Sequence, residues 1–280
     1  MRDRGTLFVL PAFVLLSLVT VYPVLHVFSL SLHRRLLIFD ISRFVGFDNY
    51  RFLLSDDRFW NALKNTVYFT ILSVSLELVL GLSIALLLHR SFRLKGLARA
   101  AVLIPWALPT VVSAKMWEWI YNTDFGVLNY LIGAKINWLG SPLLAINAAV
   151  FMDIWKTTPF VVILVTAALQ VIPAEIYRAA KVDGAGSLKT FVRITLPLLK
   201  PVMLIVAIFR TLDAFRVFDA VYVLTGGGPA NTTETLSIYA YKILFQTLQF
   251  GYGSTVSIVV FLCVGGISIL YIKLLSRGMR

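Results

Sequence analysis

Reactive side chains are scarce in this sequence. Its 280 residues include one cysteine, Cys263, and three histidines, His26, His33 and His89. A lone cysteine forms no disulfide within the chain and no cysteine-based metal site, and in an apolar run it reads as a small buried hydrophobe. The histidines are scattered, with no pair at metal-ligand spacing along a helix, so no metal site is expected. No Ser/His/Asp set stands out, and no catalytic residue is assigned. A phosphate-binding loop needs a glycine-rich turn ending in adjacent Gly-Lys-Ser/Thr. GAGSLKT at 184–190 instead places Ser187 and Leu188 between Gly186 and Lys189. No dinucleotide fingerprint is present either. The chain is therefore expected to bind no cofactor, and any chemical energy must come from another polypeptide. Charge is sparse and one-sided: charged residues make up 14%, with 14 acids against 26 Lys and Arg.

What fills the sequence is apolar. Hydrophobic residues make up 59%, the mean hydropathy is +0.83, and several uninterrupted runs are long enough to cross a hydrocarbon core. The reading is an all-α integral membrane protein with a single transmembrane domain over 1–280. Six spans are expected near Leu7–Leu32, Val67–Leu88, Ala100–Tyr121, Leu143–Leu169, Pro201–Leu224 and Val256–Leu275. The first is too long for a signal peptide, contains Pro11 and Pro23, and lacks a small-x-small cleavage site, so it reads as a retained anchor. Trp106, between Pro105 and Pro109, marks an expected kink in the third span. The net charge of +12 needs no nucleic acid, because there is no basic stripe with interleaved aromatics. Loop topology accounts for it. MRDRG, the tail KLLSRGMR and the loop carrying Arg90, Arg93, Lys95 and Arg99 are basic, which places both termini in the cytoplasm. The segment 33–64 then lies outside as a cap of mixed charge, and 171–200 lies inside.

That inner segment holds AAKVDGAGSLKTFVRITLP at 179–197, a polar stretch between two apolar ones. It is expected to form two short helices joined by an Asp183-Gly184 turn. The second carries Leu188, Phe191, Val192 and Leu196 on one side and ends before Pro197. The apolar stripe must be covered by a partner protein or by the ends of the chain's own spans. The spacing from Ala179-Ala180 through Asp183-Gly184-Ala185 to Ile194-x-Leu196-Pro197 resembles the EAA loop of permease subunits in bacterial ATP-binding-cassette importers. The sequence departs from that loop at its glutamate, which is Arg178 here, with Glu175 the nearest upstream acid. SLELVLGLSIALLLHR at 75–90, DIWKTTPF at 153–160 and FRVFDAVYVLTGGGP at 215–229 resemble the sugar-permease branch that includes maltose, trehalose and glycerol-3-phosphate systems. The resemblance implies a type I importer permease fold in the bacterial inner membrane. It also implies a second, similar permease subunit, two cytoplasmic ATPases that hold the ATP and magnesium, and an extracytoplasmic sugar-binding protein. In such systems the first short helix of the loop docks on an ATPase.

Polar residues at membrane depth mark where function lies, because a charge there is tolerated mainly at protein interfaces or wet cavities. Asp153, Lys156, Thr157 and Phe160 fall at i, i+3, i+4 and i+7 on one helical face. Arg210, Asp213, Arg216 and Asp219 alternate in sign at intervals of three and wind around the fifth span. The resemblance to maltose-type permeases places substrate contacts at Asp153, Lys156, Thr157, Phe160, Arg210, Ala214 and Val217. Asp213, Arg216 and Asp219 are read as interface ion pairs that lock this subunit to its partner, with substrate binding as the alternative, and Glu77 as an interface or gating position in contact with another span. Gly226 and Gly227, in the flexible turn TGGGPANTTET at 225–235, are read as gating positions or plain connector. The substrate is expected to be a di- or oligosaccharide, with a glycerol-3-phosphate-type cargo as the alternative because Lys156 and Arg210 also suit a phosphate. An ion-coupled carrier and a membrane scaffold remain open from other classes.

Overall fold

A computed structural model describes the backbone of residues 3–278 and the side chains of 9–274. The outermost residues of the basic N-terminal segment and tail lie outside that range. In chain order the elements are α1 (Asp3–Ser31), β1 (His33–Leu36), β2 (Ile41–Phe44), α2 (Asp48–Leu54), α3 (Asp57–His89), α4 (Lys95–Ala107), α5 (Thr110–Ile120), α6 (Val127–Ile132) and α7 (Pro142–Val171). They continue with α8 (Ala174–Val182), α9 (Ser187–Thr190), a π turn at Phe191–Thr195, α10 (Leu196–Phe215), α11 (Asp219–Thr225), α12 (Leu236–Tyr241), a second π turn at Lys242–Gln246, and α13 (Phe250–Gly278). Five helical stretches are long and apolar enough to span a bilayer, and α4 with α5 makes a sixth, bent by 97°.

Three spans differ from the sequence expectation. The second begins at Asp57, ten residues earlier than Val67, so part of the expected outer cap is the first turns of a 33-residue helix. The third is broken outright. Pro109 offers no N–H, and Leu108, before it, takes the extended backbone that residues preceding proline favour (ψ 140°). The fifth starts at Ser187, not Pro201, and ends at Phe215, because Pro197 and Pro201 are taken up inside the helix without ending it. The π turn just upstream of Pro197 shifts the hydrogen-bond register there.

The chain divides into two compact units. In the unit formed by 1–60 and 236–263, β1 and β2 pair antiparallel with His33 opposite Phe44 and Leu36 opposite Ile41, a small hairpin within an otherwise helical fold. The Asp56 carboxylate accepts hydrogen bonds from the Tyr239 and Tyr252 phenols, the latter at 2.5 Å. Burial and the bond to Asp56 raise the Tyr239 phenol above its ordinary pKa, so it remains a donor at physiological pH. In the unit formed by 61–235 and 264–280, α3, α7 and α10 share a core of Ala85, Leu88, Val161, Val165, Leu169, Leu199 and Val206. A Cβ on Gly81 of α3 would lie 2.5 Å from the Val161 side chain, so α7 approaches this closely only because position 81 has no side chain.

Candidate substrate cavity and coupling loop

The seven positions expected to touch substrate come together. Asp153, Lys156, Thr157 and Phe160 on α7, and Arg210, Ala214 and Val217 at the end of α10, all line one cavity of about 640 Å³. The α7 positions do so because their spacing keeps them on one face. Val217 does so differently: the helix has ended at Phe215, and Val217 sits in the turn before α11, its N–H donating to the Ala214 carbonyl at 3.2 Å. Asp213, Arg216 and Asp219 line the same cavity. Of the pairs that the alternating series can form along one helix, the first is made, and the helix ends before Arg216 and Asp219. Arg210 pairs with Asp213 at 2.5 Å, whereas Arg216 turns its Nε onto the Leu212 carbonyl (3.1 Å). Among the described residues Arg216 and Asp219 form no ion pair.

At the cavity floor lies a buried ion network. Glu77 of α3 is fully buried, and Arg210 is 3% exposed. The Arg210 guanidinium holds Glu77 with two bonds, Nε to Oε2 at 2.6 Å and Nη2 to Oε1 at 3.0 Å. It also donates from Nη2 to Asp153 Oδ2 at 3.2 Å and from Nη1 to Asp213 Oδ2 at 2.5 Å. Thr157 Oγ1 lies 2.7 Å from Glu77 Oε1 and 2.6 Å from the Asp153 carbonyl oxygen, so its one proton is shared between them. A planar fork with five donors suits several carboxylates at once, and the pairing offsets the cost of desolvating each charge. The sequence reading of Glu77 as an interhelical contact is met, and its partner is Arg210. Four of the five N–H donors of Arg210 thus face three carboxylates of its own chain.

Lys156 is also engaged. Its ammonium donates to the Leu108 carbonyl at 2.8 Å, and thus bonds a backbone oxygen at the break between α4 and α5. Trp106, read from sequence only as a kink marker, faces the cavity with its ring centroid 6.3 Å from that of Phe160. Two aromatic rings beside charged groups form a wall on which a sugar face can stack. Its sequence signal was slight, since nothing in the local pattern separates an aromatic at a helix break from one packed in lipid.

The loop at 225–235 differs from the flexible turn expected. Thr233, Glu234 and Thr235 are buried. Thr225 Oγ1 meets Thr233 Oγ1 at 2.6 Å, Thr233 Oγ1 donates to the Gly228 carbonyl, and Thr235 Oγ1 donates to the Val217 carbonyl at 3.1 Å. The Asn61 and Asn65 side chains of α3 donate to the Asn231 carbonyl, and Asn65 also to that of Glu234. Gly226 (φ +60°) and Gly227 (φ +89°) are needed for the backbone reversal that starts this knot.

The loop around Gly184 forms as the sequence implies, except at its end. α8 closes with the Ala185 N–H on the Ala180 carbonyl (2.9 Å) and the Gly184 N–H on that of Lys181 (3.2 Å), the paired bonds of a Schellman cap. Gly184 is left-handed (φ +70°), the reason a glycine follows Asp183. The second short helix is not separate, since α9 runs through the π turn into α10 as one helix from Ser187 to Phe215. Ala180 is buried and Ala179 is exposed. Arg178 donates to Glu175 at 2.6 Å, both side chains well exposed. Leu188 (76% exposed), Val192 and Leu196 are exposed, and so are Val171 and Val182. Phe191 of the expected stripe is half-buried, so the chain covers that stripe in part, and of the loop's terminal motif Ile194 is half-buried while Leu196 and Pro197 are exposed.

The chain matches, over residues 77–280, the family described as the inner membrane component of binding-protein-dependent transport systems. It is 44% identical over 273 residues to the trehalose/maltose transport system permease protein MalF of Thermococcus litoralis, covering 96% of this chain and 92% of that one. It is 40% identical over 281 residues to the trehalose transport system permease protein SugA of Mycobacterium tuberculosis, covering 99% and 91%. Its fold superimposes with a TM-score of 0.81 on a chain of a bacterial ABC transporter that imports the acidic polysaccharide alginate, covering 99% of this chain and 96% of that one at 22% identity. An ion-coupled carrier and a scaffold are thereby set aside: this chain belongs to the inner membrane components of binding-protein-dependent transport systems.

Proposed function

We propose that the chain is one of two membrane subunits of an ATP-driven importer for a di- or oligosaccharide such as trehalose or maltose. The observation that carries this is the cavity of about 640 Å³ lined by all seven expected contact positions, with aromatic, carboxylate and ammonium groups that suit a polyhydroxylated ligand. The names of the permeases it resembles support the same cargo. A second, similar permease completes the pathway, and an extracytoplasmic binding protein delivers the sugar. Two cytoplasmic ATPases bind ATP and magnesium and hydrolyse the nucleotide; this chain is non-catalytic. The segment 171–200 is the coupling loop: α8 docks on an ATPase, with Glu175, Arg178, Ala179, Ala180, Asp183, Gly184 and Ala185 in the docking helix and turn. Ile194, Leu196 and Pro197 carry the motion into the membrane. The exposed apolar side chains of Val182, Leu188 and Val192 support a protein partner on this loop. Both termini lie in the cytoplasm, and 33–64 faces outward. Closure and parting of the ATPases expose the cavity to alternate sides.

The test is ATP hydrolysis by the purified complex in lipid, with its binding protein and a panel of di- and oligosaccharides plus glycerol-3-phosphate. Stimulation by a disaccharide is the expected result. Stimulation by glycerol-3-phosphate alone moves the cargo to the phosphate class, and no stimulation from an intact complex places it outside both.

A further inference from the structure

Beside the coupling loop lies a second cleft, of about 640 Å³, whose charge is not balanced. His89 and Arg90, at the end of α3, meet Tyr177 and Lys181 of α8 and Ser187 at the start of the long helix. Among the described residues no carboxylate lines this cleft. The side chains of Arg90 and Lys181 make no hydrogen bond or ion pair among the described residues, in contrast to Arg210. Loop topology accounts for Arg93, Lys95 and Arg99, which follow one another along a single connection. Arg90 and Lys181 differ, because two segments far apart in the chain bring them to one place. The carbonyls at the end of α3 would by themselves repel an anion, but that of His89 accepts a hydrogen bond from the Lys95 ammonium at 3.2 Å. Hydroxyl donors add to the lining. Thr195 Oγ1 donates to the Tyr177 phenol oxygen at 3.3 Å, which leaves the Tyr177 proton to give, and the Ser187 hydroxyl has no partner among the described residues. Leu86, Leu169 and Phe191 supply an apolar part of the wall. On α8, helical spacing places Tyr177 and Lys181 on one face, turned away from Glu175, Arg178 and Ala179.

We infer that this cleft binds a phosphate-bearing anion, with Arg90 and Lys181 as its cations and the Tyr177 and Ser187 hydroxyls as further donors. A guanidinium and an ammonium with open donors suit phosphate oxygens through charge-assisted bonds. The headgroup of an acidic phospholipid and free phosphate share that chemistry. The ends of α3 and α7 set the cleft at the edge of apolar spans, where headgroups lie, and Leu86 and Phe191 offer an acyl chain a surface. A bound anion bridges α3 and α8, and so ties the loop to a span through a ligand. The site is separate from the substrate cavity and independent of the cargo.

The test uses the assembled complex in nanodiscs of phosphatidylcholine alone and of phosphatidylcholine with a minor fraction of phosphatidylglycerol. Retained phosphatidylglycerol is counted by native mass spectrometry, and affinity is read from the melting temperature as ligand is titrated. Inorganic phosphate titrated into the phosphatidylcholine discs is the second arm. At least one ligand should stabilise the parent complex, and Arg90→Gln with Lys181→Gln should weaken its binding about ten-fold or more. Arg93→Gln with Lys189→Gln removes the same charge from exposed side chains that do not line the cleft, and should change binding by less than about two-fold. Tyr177→Phe should weaken it about three-fold, and Arg90→Gln alone serves if the double variant assembles poorly. A response to phosphatidylglycerol alone identifies a lipid headgroup as the occupant, and a response to phosphate in the neutral discs identifies the free anion. Equal losses in the two double variants reduce the effect to general surface charge and overturn the inference. No response to either ligand overturns it as well.

Discussion

The cavity and the coupling loop of the same unit use charge in opposite ways. In the cavity, Arg210 faces three carboxylates at 2.5–3.2 Å and is almost wholly buried. In the loop, Arg178 and Glu175 form an equally short pair at 2.6 Å with both side chains about three-quarters exposed. The first pairing joins α3, α7 and α10, each of which contributes a group. The second stays on one helical turn and is screened by water, so it adds little. Conversely, apolar side chains are buried around the cavity floor and bare on the loop. One region pairs its buried charges within the chain, and the other leaves apolar side chains exposed.

The sharpest test of this contrast is removal of the buried cation. Arg210→Met strands Glu77 in the core and should destabilise the subunit by about 3–5 kcal/mol, read as loss of assembled complex and a lower melting temperature. The double change Arg210→Met with Glu77→Leu should recover much of that loss; failure to recover would show that the network does more than balance charge. Next in size is Gly81→Ala, which places a methyl against Val161 and should cost about 1–3 kcal/mol by thermal unfolding. Shortening Val161 to Ala in the same chain should relieve it. Gly184→Val has open space around its new Cβ but a positive φ, so the cost is local, about 1–2 kcal/mol. Assembly in the membrane should persist while ATP hydrolysis separates from uptake; normal coupled uptake in this variant would remove α8 from the docking role. Smallest is Arg178→Ala, expected to shift stability by no more than about 0.5 kcal/mol in a thermal melt. A large effect there would place the pair inside a partner contact.

The cavity was legible in the sequence wherever helical periodicity governs. Asp153, Lys156, Thr157 and Phe160 share a face by spacing alone, and the resemblance placed Arg210, Ala214 and Val217 opposite them. Hydrogen-bond partners were not legible, because Glu77 and Arg210 are 133 positions apart and their meeting depends on how α3 and α10 pack. The helix ends were misread at prolines. Pro109 broke a span through the residue before it, while Pro197 and Pro201 were absorbed after a π turn, and the sequence offers the same residue type for both outcomes. The loop at 225–235 looked mobile because it is rich in Gly, Asn and Thr. Its threonine hydroxyls and the Asn61 and Asn65 amides instead satisfy its backbone, a matter of distant partners and not of composition.

The unbroken helix from Ser187 to Phe215 has a mechanical consequence. Its 29 residues make a rod about 43 Å long, with the coupling turn at one end and Arg210 near the other, about 35 Å away. A tilt of about 5° at the loop displaces the far end by about 3 Å, comparable to the length of a hydrogen bond. Under the proposed coupling, the clamp that holds two carboxylates over the cavity is thus mounted on the arm that the ATPases move.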